Sequence, residues 1–284
     1  MSQPFGISCR GGLNTNLNQL EMLRQPGLAT RLRNFEVDPD GGYRRINGFT
    51  VFGGSSATRP NTTQDVLGCF VYGDGVIVCS GTDIFFSTDG VTWLQINRDS
   101  VAGGGDNYTA FTGRSALTRT GQGQCQFALF EGATFDYGEV IIADGANKLF
   151  FFRMEGTGAL NTRTFFAGEI TVDGTNGVKY ITIHDHHLIA AGVENNLNTV
   201  YYSVYNDPDN FSGSGAGSVV ISDQIQGIRG FRTDLIVFAK NSLHKLININ
   251  DSSSIRIDPI TENVGCLSGY SVQEIGGDLV FLSP

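Results

Sequence analysis

The sequence predicts an all-β fold of repeated small antiparallel sheets, and three observations carry that prediction. From Val66 onward the chain is a succession of short apolar runs separated by Asp-Gly, Asn and Gly punctuation, with few patterns of helical period. One phrase recurs, a strand, a polar turn, a near-continuous apolar strand, an Asn-containing turn and a strand; its middle member reads HHLIAAG, TDLIVFA and GDLVFLS. The 38 glycines and 17% charged residues of the 284-residue chain suit many tight turns and few exposed helices. An apolar run without alternation is a strand buried on both faces. Such strands recurring within units of about 40–50 residues are the sequence image of propeller blades. A sandwich would also supply short strands, but it would not repeat the same three-strand phrase. The prediction is therefore β-propeller-like repeats of short antiparallel blades, with Leu188–Ala191, Leu235–Phe238 and Leu279–Leu282 as equivalent buried strands.

Taken in order, residues 1–60 form an N-terminal arm and hairpin and residues 61–284 the propeller-type domain. In the arm, Pro26-Gly27 stops any continuous helix, and FEVDPDGGYRRINGF reads as strand, turn, strand. The stretch from Asp65 to Ile96 gives four strands turning at Asp74-Gly75, Gly81-Thr82-Asp83 and Asp89-Gly90. Two more flank Asp144-Gly145. Three follow with turns at His184-Asp185 and Asn195-Asn196, and another three turn at Arg232-Thr233 and Asn241-Ser242. Residues 97–123 and 206–218, rich in Gly, Ser, Thr and Asn, read as long surface loops. The sequence closes on a buried-type strand with no completing element, which points to one part of a longer protein.

Catalytic and cofactor signatures are missing: there is no G-x-S-x-G, no phosphate loop and no H-E-x-x-H. The sharpest metal candidate is His184-Asp185-His186-His187. As a strand it would turn His184 and His186 one way and His187 the other, with His244 the only further histidine. A polar hairpin turn is the competing reading, and no metal is expected. Five cysteines in an odd, scattered set exclude a disulfide framework, and Cys69 and Cys79 read as small buried hydrophobes. No apolar run approaches a membrane span, so no anchor is expected.

FFSTDGVTW, Phe85 to Trp93, holds the only tryptophan. Its Asp-Gly pair reads as a two-residue hairpin turn with positive φ at both positions. The stretch resembles, one residue short, the Asp-box turn of sialidase-like propellers. That likeness implies a structural role for Ser87, Asp89, Gly90 and Trp93, with the carboxylate bonding its own turn and the indole packed between strands.

Charge is unevenly placed. Residues 1–60 carry seven arginines against four acids, +3, so the remainder carries −12 of the total −9. Arg24, Arg31, Arg33, Arg44 and Arg45 cluster before the first repeat. Exposed ion pairs are worth only about 0–1 kcal/mol, whereas clustered arginines at a subunit boundary can pair bidentately with carboxylates. The expectation is that this arm lies at an intersubunit or ring-to-ring interface.

Taken together, GGLNT…PGLATRLRNFEVDPDGGYRRINGF, VYYSVYNDPDNF and GGDLVFLSP resemble the tail tubular or nozzle-type virion proteins of short-tailed bacteriophages, along most of this chain. The chain is short for that family. The resemblance implies a non-enzymatic, cofactor-free propeller platform, made in the bacterial cytoplasm and resident in the virion tail. It also implies a six-fold ring of copies around the DNA-ejection channel, with an adaptor ring and fibres as neighbours and DNA passing without sequence-specific binding. An acidic body suits such a conduit, because each phosphate neutralised by Lys or Arg adds salt-dependent affinity. Two other readings share the fold: a receptor- or carbohydrate-binding propeller of a tail fibre, and a sialidase-type glycoside hydrolase. The 11% aromatic content is mostly Phe, which favours core packing over sugar stacking.

Overall fold

The structure is a computed structural model that describes residues 12–13, 28–29, 35–37, 43–45, 50–99, 104–121, 123–132, 135–174, 177–250, 254–275 and 277–284. Two compact units divide the chain, Met1–Gly54 and Ser55–Pro284. In the first, β1 (Gly12–Leu13) pairs in parallel with β2 (Leu28–Ala29), and β3 (Phe35–Val37) pairs antiparallel with β4 (Tyr43–Arg45).

The second unit is all-β, a series of antiparallel sheets resembling propeller blades. Sheet one holds β5 (Val66–Tyr72), β6 (Gly75–Ser80), β7 (Asp83–Ser87) and β8 (Leu94–Gln95). The next segment carries β9 (Asp106–Asn107) and a five-residue helix, α1 (Tyr108–Thr112), whose N-cap Asn107 side chain accepts the Ala110 amide. Sheet two runs β10 (Gln126–Phe130), β11 (Glu139–Ala143), β12 (Leu149–Glu155) and β13 (Thr164–Ile170), with β9 added at its outer edge. Sheet three is β14 (Tyr180–His184), β15 (His187–Val193), β16 (Asn196–Tyr202) and β17 (Gly217–Val220). Sheet four is β18 (Ile225–Phe231), β19 (Asp234–Ala239), β20 (Leu243–Ile247) and β21 (Arg256–Thr261). A last hairpin pairs β22 (Gln273–Ile275) with β23 (Asp278–Val280).

Strand periodicity explains how these sheets stack. Successive side chains leave opposite faces of a strand, so a strand between two neighbours feeds two cores. In β11, Val140 and Ile142 enter the core shared with sheet one, while Ile141 and Ala143 enter the one shared with sheet three. In β15, Leu188 and Ala190 go one way, Ile189 and Ala191 the other. In β19 the partition is Leu235 and Val237 against Ile236 and Phe238. This is why the second strands read as continuous apolar runs.

The three strands expected to be equivalent lie in three different sheets, and each sits second in its sheet. Burial holds for β15 and β19 but not for the third. Leu279 is half-buried, whereas Val280 and Leu282 are 51% and 62% exposed. Phe281 packs on Phe238 from sheet four, ring centroids 5.3 Å apart. Among the described residues no sheet lies against the other face.

The first strands β10, β14 and β18 approach one another. Together with the turn at Gly269–Ser271 they border an open polar cavity of about 320 Å³, lined among others by Gln126, Thr182 and Arg229. Tyr270 also lines it, its hydroxyl donating to Gln124 O at 3.4 Å. Gly227 and Gly269 allow this crossing: a Cβ on Gly269 would run into Gln226 O.

Two expectations are corrected, one for a loop and one for a cysteine. Residues 97–123 are not a structureless loop, because β9, α1 and the buried Arg119 fall within them. Cys69 is exposed and not a core residue, since β5 has only one covered face; Cys79 is fully buried.

Candidate functional site

The Asp89 turn is a self-contained hydrogen-bond unit. Asp89 Oδ1 accepts the amides of Val91 at 2.9 Å and Thr92 at 2.8 Å, while Ser87 Oγ accepts the Gly90 amide at 2.9 Å. Those two amides hold the Asp89 carboxyl below the usual carboxylate range. Gly90 has φ 69, but Asp89 does not have positive φ. The loop from Thr88 to Trp93 is therefore an Asx turn and not the two-residue hairpin expected from Asp-Gly. Trp93 Nε1 donates to Thr58 O at 3.3 Å, and Thr58 in turn donates to Gly90 O and Val91 O at 3.0 and 2.6 Å. This clasp explains why residues 55–60 belong with the sheets.

Of the arm arginines, Arg24, Arg31 and Arg33 lie outside the described residues. Arg44 and Arg45 sit in β4, in register with Glu36 and Phe35.

The charged groups that sequence reasoning missed are buried between sheets. Arg119 and Asp144 have fully buried side chains, with Nε 2.8 Å from Oδ2. Arg119 also donates to Gly81 O at 3.0 Å and Gly123 O at 2.6 Å. Asp144 repeats the Asx pattern of Asp89, its Oδ1 accepting the Ala146 and Asn147 amides at 3.0 and 2.9 Å. Tyr72 does the same work without charge, donating to Gly138 O and accepting the Met154 amide. Arg163 grips Asp74 bidentately at 2.8 and 2.6 Å, which lowers the Asp74 carboxyl.

Glu139 is the most perturbed acid. It is 1% exposed at the start of β11, and burial pushes its carboxyl up to about 9. Asp209 lies at the protein surface, with its carboxyl turned toward that of Glu139, and is also raised. Among the described residues no hydrogen-bond partner reaches Glu139 Oε1. Arg153 approaches Glu139 Oε2 at 3.2 Å, and its guanidinium is sandwiched between the Phe135 and Phe166 rings at 4.3 and 4.1 Å.

The histidine run is a polar hairpin turn, as the competing reading of the sequence has it. His184 and His187 are directly paired across a hairpin whose central residues, Asp185 and His186, have φ 47 and 61. His184 and His187 therefore share a face and His186 sits in the turn. His187 is consumed by Ser203 O at 2.6 Å and the Asn250 side chain at 3.0 Å. His244 belongs to β20 and bonds Ser242 Oγ at 2.8 Å. Among the described residues no three His, Cys, Asp or Glu side chains are grouped to hold a metal.

Around this hairpin lie two open cavities. One of about 480 Å³ is bordered by His184, Asp185, Asp234, Asn248 and Asn250. The other, about 440 Å³, is bordered by His187, Tyr205, Ser214 and Asn250. Lys245 meets Asp234 at 2.6 Å, and burial lowers the His184 imidazole. The exposed Tyr205 ring stands 5.4 Å from His186 and 5.7 Å from His187. Among the described residues this arrangement offers hydrogen bonds and one aromatic face.

No family model matches the chain, and no curated protein matches it. Among solved structures it is similar to the extracellular domain of a hybrid two-component system of B. thetaiotaomicron, at TM-score 0.41 and 13% identity. That match covers 77% of this chain and 25% of the other, so the chain spans about a quarter of that structure's length. It is also similar to the Neurospora crassa Pan2 WD40 domain, at TM-score 0.30 and 8% identity, covering 73% and 70% of the two chains. For the AfRom2 CNH domain the values are 0.25, 8%, 78% and 95%. Likenesses this distant carry no functional argument.

Proposed function

We propose that this chain is a structural virion protein of the phage tail nozzle type, which assembles with copies of itself into a ring. One observation carries the reading: apolar side chains stand exposed on the first sheet and around the last hairpin, as do Val220 of β17 and Ile260 of β21 on the outer strands between them. On β5, Val66 and Val71 are 60% and 74% exposed; around the last hairpin, Leu267, Ile275 and Leu282 are 60%, 61% and 62% exposed. Sheet faces of this kind mark contact surfaces. Arg119, Asp144 and Arg163 are tied up in bonds between sheets one and two, which suits a scaffold. The polar cavity of about 320 Å³ beside the first strands has no room for a duplex. In this reading the DNA channel therefore lies between copies and not along the axis of one chain.

The test is negative-stain imaging and light scattering of the purified protein, with a glycan array and a sialidase assay alongside. Rings with a central opening and neither glycan binding nor turnover are expected. A strict monomer at all concentrations would refute the reading. The second reading, a carbohydrate-binding propeller, is favoured by the polar cavities beside Tyr205. Glycan binding lost in Tyr205→Ala would establish it.

A further inference from the structure

Cys79 and Cys125 belong to different sheets yet meet in one core. Cys79, at 0% exposure, lies in β6, where it pairs across the ladder with Gly68 of β5. Cys125, at 7%, immediately precedes β10, and its amide donates to Leu67 O at 3.0 Å. The missing side chain of Gly68 makes the meeting possible: a Cβ there would fall 2.9 Å from Cys125 Cβ and 2.8 Å from the Phe127 ring. Residues paired across an antiparallel ladder have Cβ atoms about 4.5–5.5 Å apart. Cys125 Cβ thus stands in for a Gly68 side chain, facing Cys79. Interaction with Cys125 raises the Cys79 thiol well above its ordinary value, and the same contact lowers that of Cys125. One sulfur is thereby the better nucleophile and, with its slight exposure, the one a reagent meets first.

We propose that Cys79 and Cys125 are a disulfide-forming pair that staples sheet one to sheet two when the protein meets an oxidising small-molecule disulfide. The Cys125 thiolate attacks one sulfur of the reagent RSSR and expels RS⁻. Cys79 then gives up its proton and attacks Cys125 Sγ in the mixed disulfide, and a second RS⁻ leaves. The protein loses two electrons and two protons, and RSSR becomes two RSH. No other chemistry is required. The closed segment, residues 79–125, contains β7, β8, β9, α1 and Arg119, so the bond fixes the clasp that already holds these sheets.

The experiment treats the folded chain with hydroxyethyl disulfide, blocks the remaining thiols by alkylation and maps the peptides by mass spectrometry. A cross-linked pair of peptides containing Cys79 and Cys125, 2 Da lighter than the sum of the reduced peptides, is expected. The melting temperature should rise by several degrees and return on reduction with dithiothreitol. Cys79→Ala should leave a stable mixed disulfide on Cys125 and no rise in melting temperature. If the natural chain instead accumulates the mixed disulfide at Cys125, or forms the bond and melts lower, the proposal is overturned. The mapping on the natural chain decides the matter even if the variant fails to fold.

Discussion

Replacing Arg119 with Met tests whether a buried charge holds the first two sheets together. The guanidinium makes three bonds of 2.6–3.0 Å, to Asp144, Gly81 O and Gly123 O, with no exposed side-chain surface. Met fills similar space with a flexible chain, so the loss is electrostatic and not a cavity. Removing one partner of a buried ion pair costs about 3–5 kcal/mol. Asp144 would keep the Ala146 and Asn147 amides and the Asn147 side-chain N–H at 2.7 Å, so its charge is not wholly orphaned. That places the expected loss at the lower end, about 3 kcal/mol. Urea unfolding at pH 7, followed by Trp93 fluorescence and by far-ultraviolet circular dichroism, measures it. Adding Asp144→Asn to Arg119→Met removes the stranded charge, and the double-variant cycle should show coupling of at least about 1 kcal/mol. A single-variant loss below about 1 kcal/mol, or additive effects, would refute the reasoning.

Three further outcomes are expected. Glu139 has its folded pKa raised to about 9 from an unfolded value near 4.5, so the native chain keeps a proton that the unfolded chain releases. Its stabilisation is complete below the unfolded value and is lost as pH rises through about 9. The folding constant should fall by up to about tenfold per pH unit across that window, and Glu139→Gln should flatten the slope in denaturation at stepped pH; an unchanged slope would count against the buried acid. Asp89→Ala removes the acceptor of two amides and should cost on the order of 1 kcal/mol, whereas Asp89→Asn should cost less; equal losses in thermal melts would show that the Asx turn does not hold this loop. Reversing Arg44 and Arg45 to Glu should leave the circular dichroism spectrum intact but abolish ring assembly in light scattering, and normal assembly would sink the arm hypothesis.

What could be read from sequence followed from backbone chemistry. The double-sided burial of β15 and β19 left an unbroken apolar record, and the Gly and Asn turns fixed where those strands end. Outer strands left little trace, because β17 and β21 face solvent along much of their length and carry mixed residues such as Gly217-Ser218 and Asp258-Pro259. The candidate sites were less legible still. Asp89 showed itself because all its partners are local, whereas Arg119 is 25 residues from Asp144 and 38 from Gly81. Glu139 reads as an ordinary surface acid until the loop carrying Asp209, 70 residues on, folds over it. The histidine run was legible as a polar hairpin turn, whereas the pairing of His184 with His187 depends on where the turn is centred.

The alternation of the second strands has a consequence for how the chain tolerates change. Ile141 and Ile142 are covalent neighbours, yet they serve separate cores and share few partners. Ile142 instead belongs to the core that holds Ile77 and Phe86 of the preceding sheet, and Ile141 to the one that holds Leu188 of the following sheet. Substitutions at adjacent positions should therefore behave as independent events, while positions some fifty residues apart compensate one another. The natural unit of repacking in this protein is the space between two sheets and not any continuous stretch of sequence.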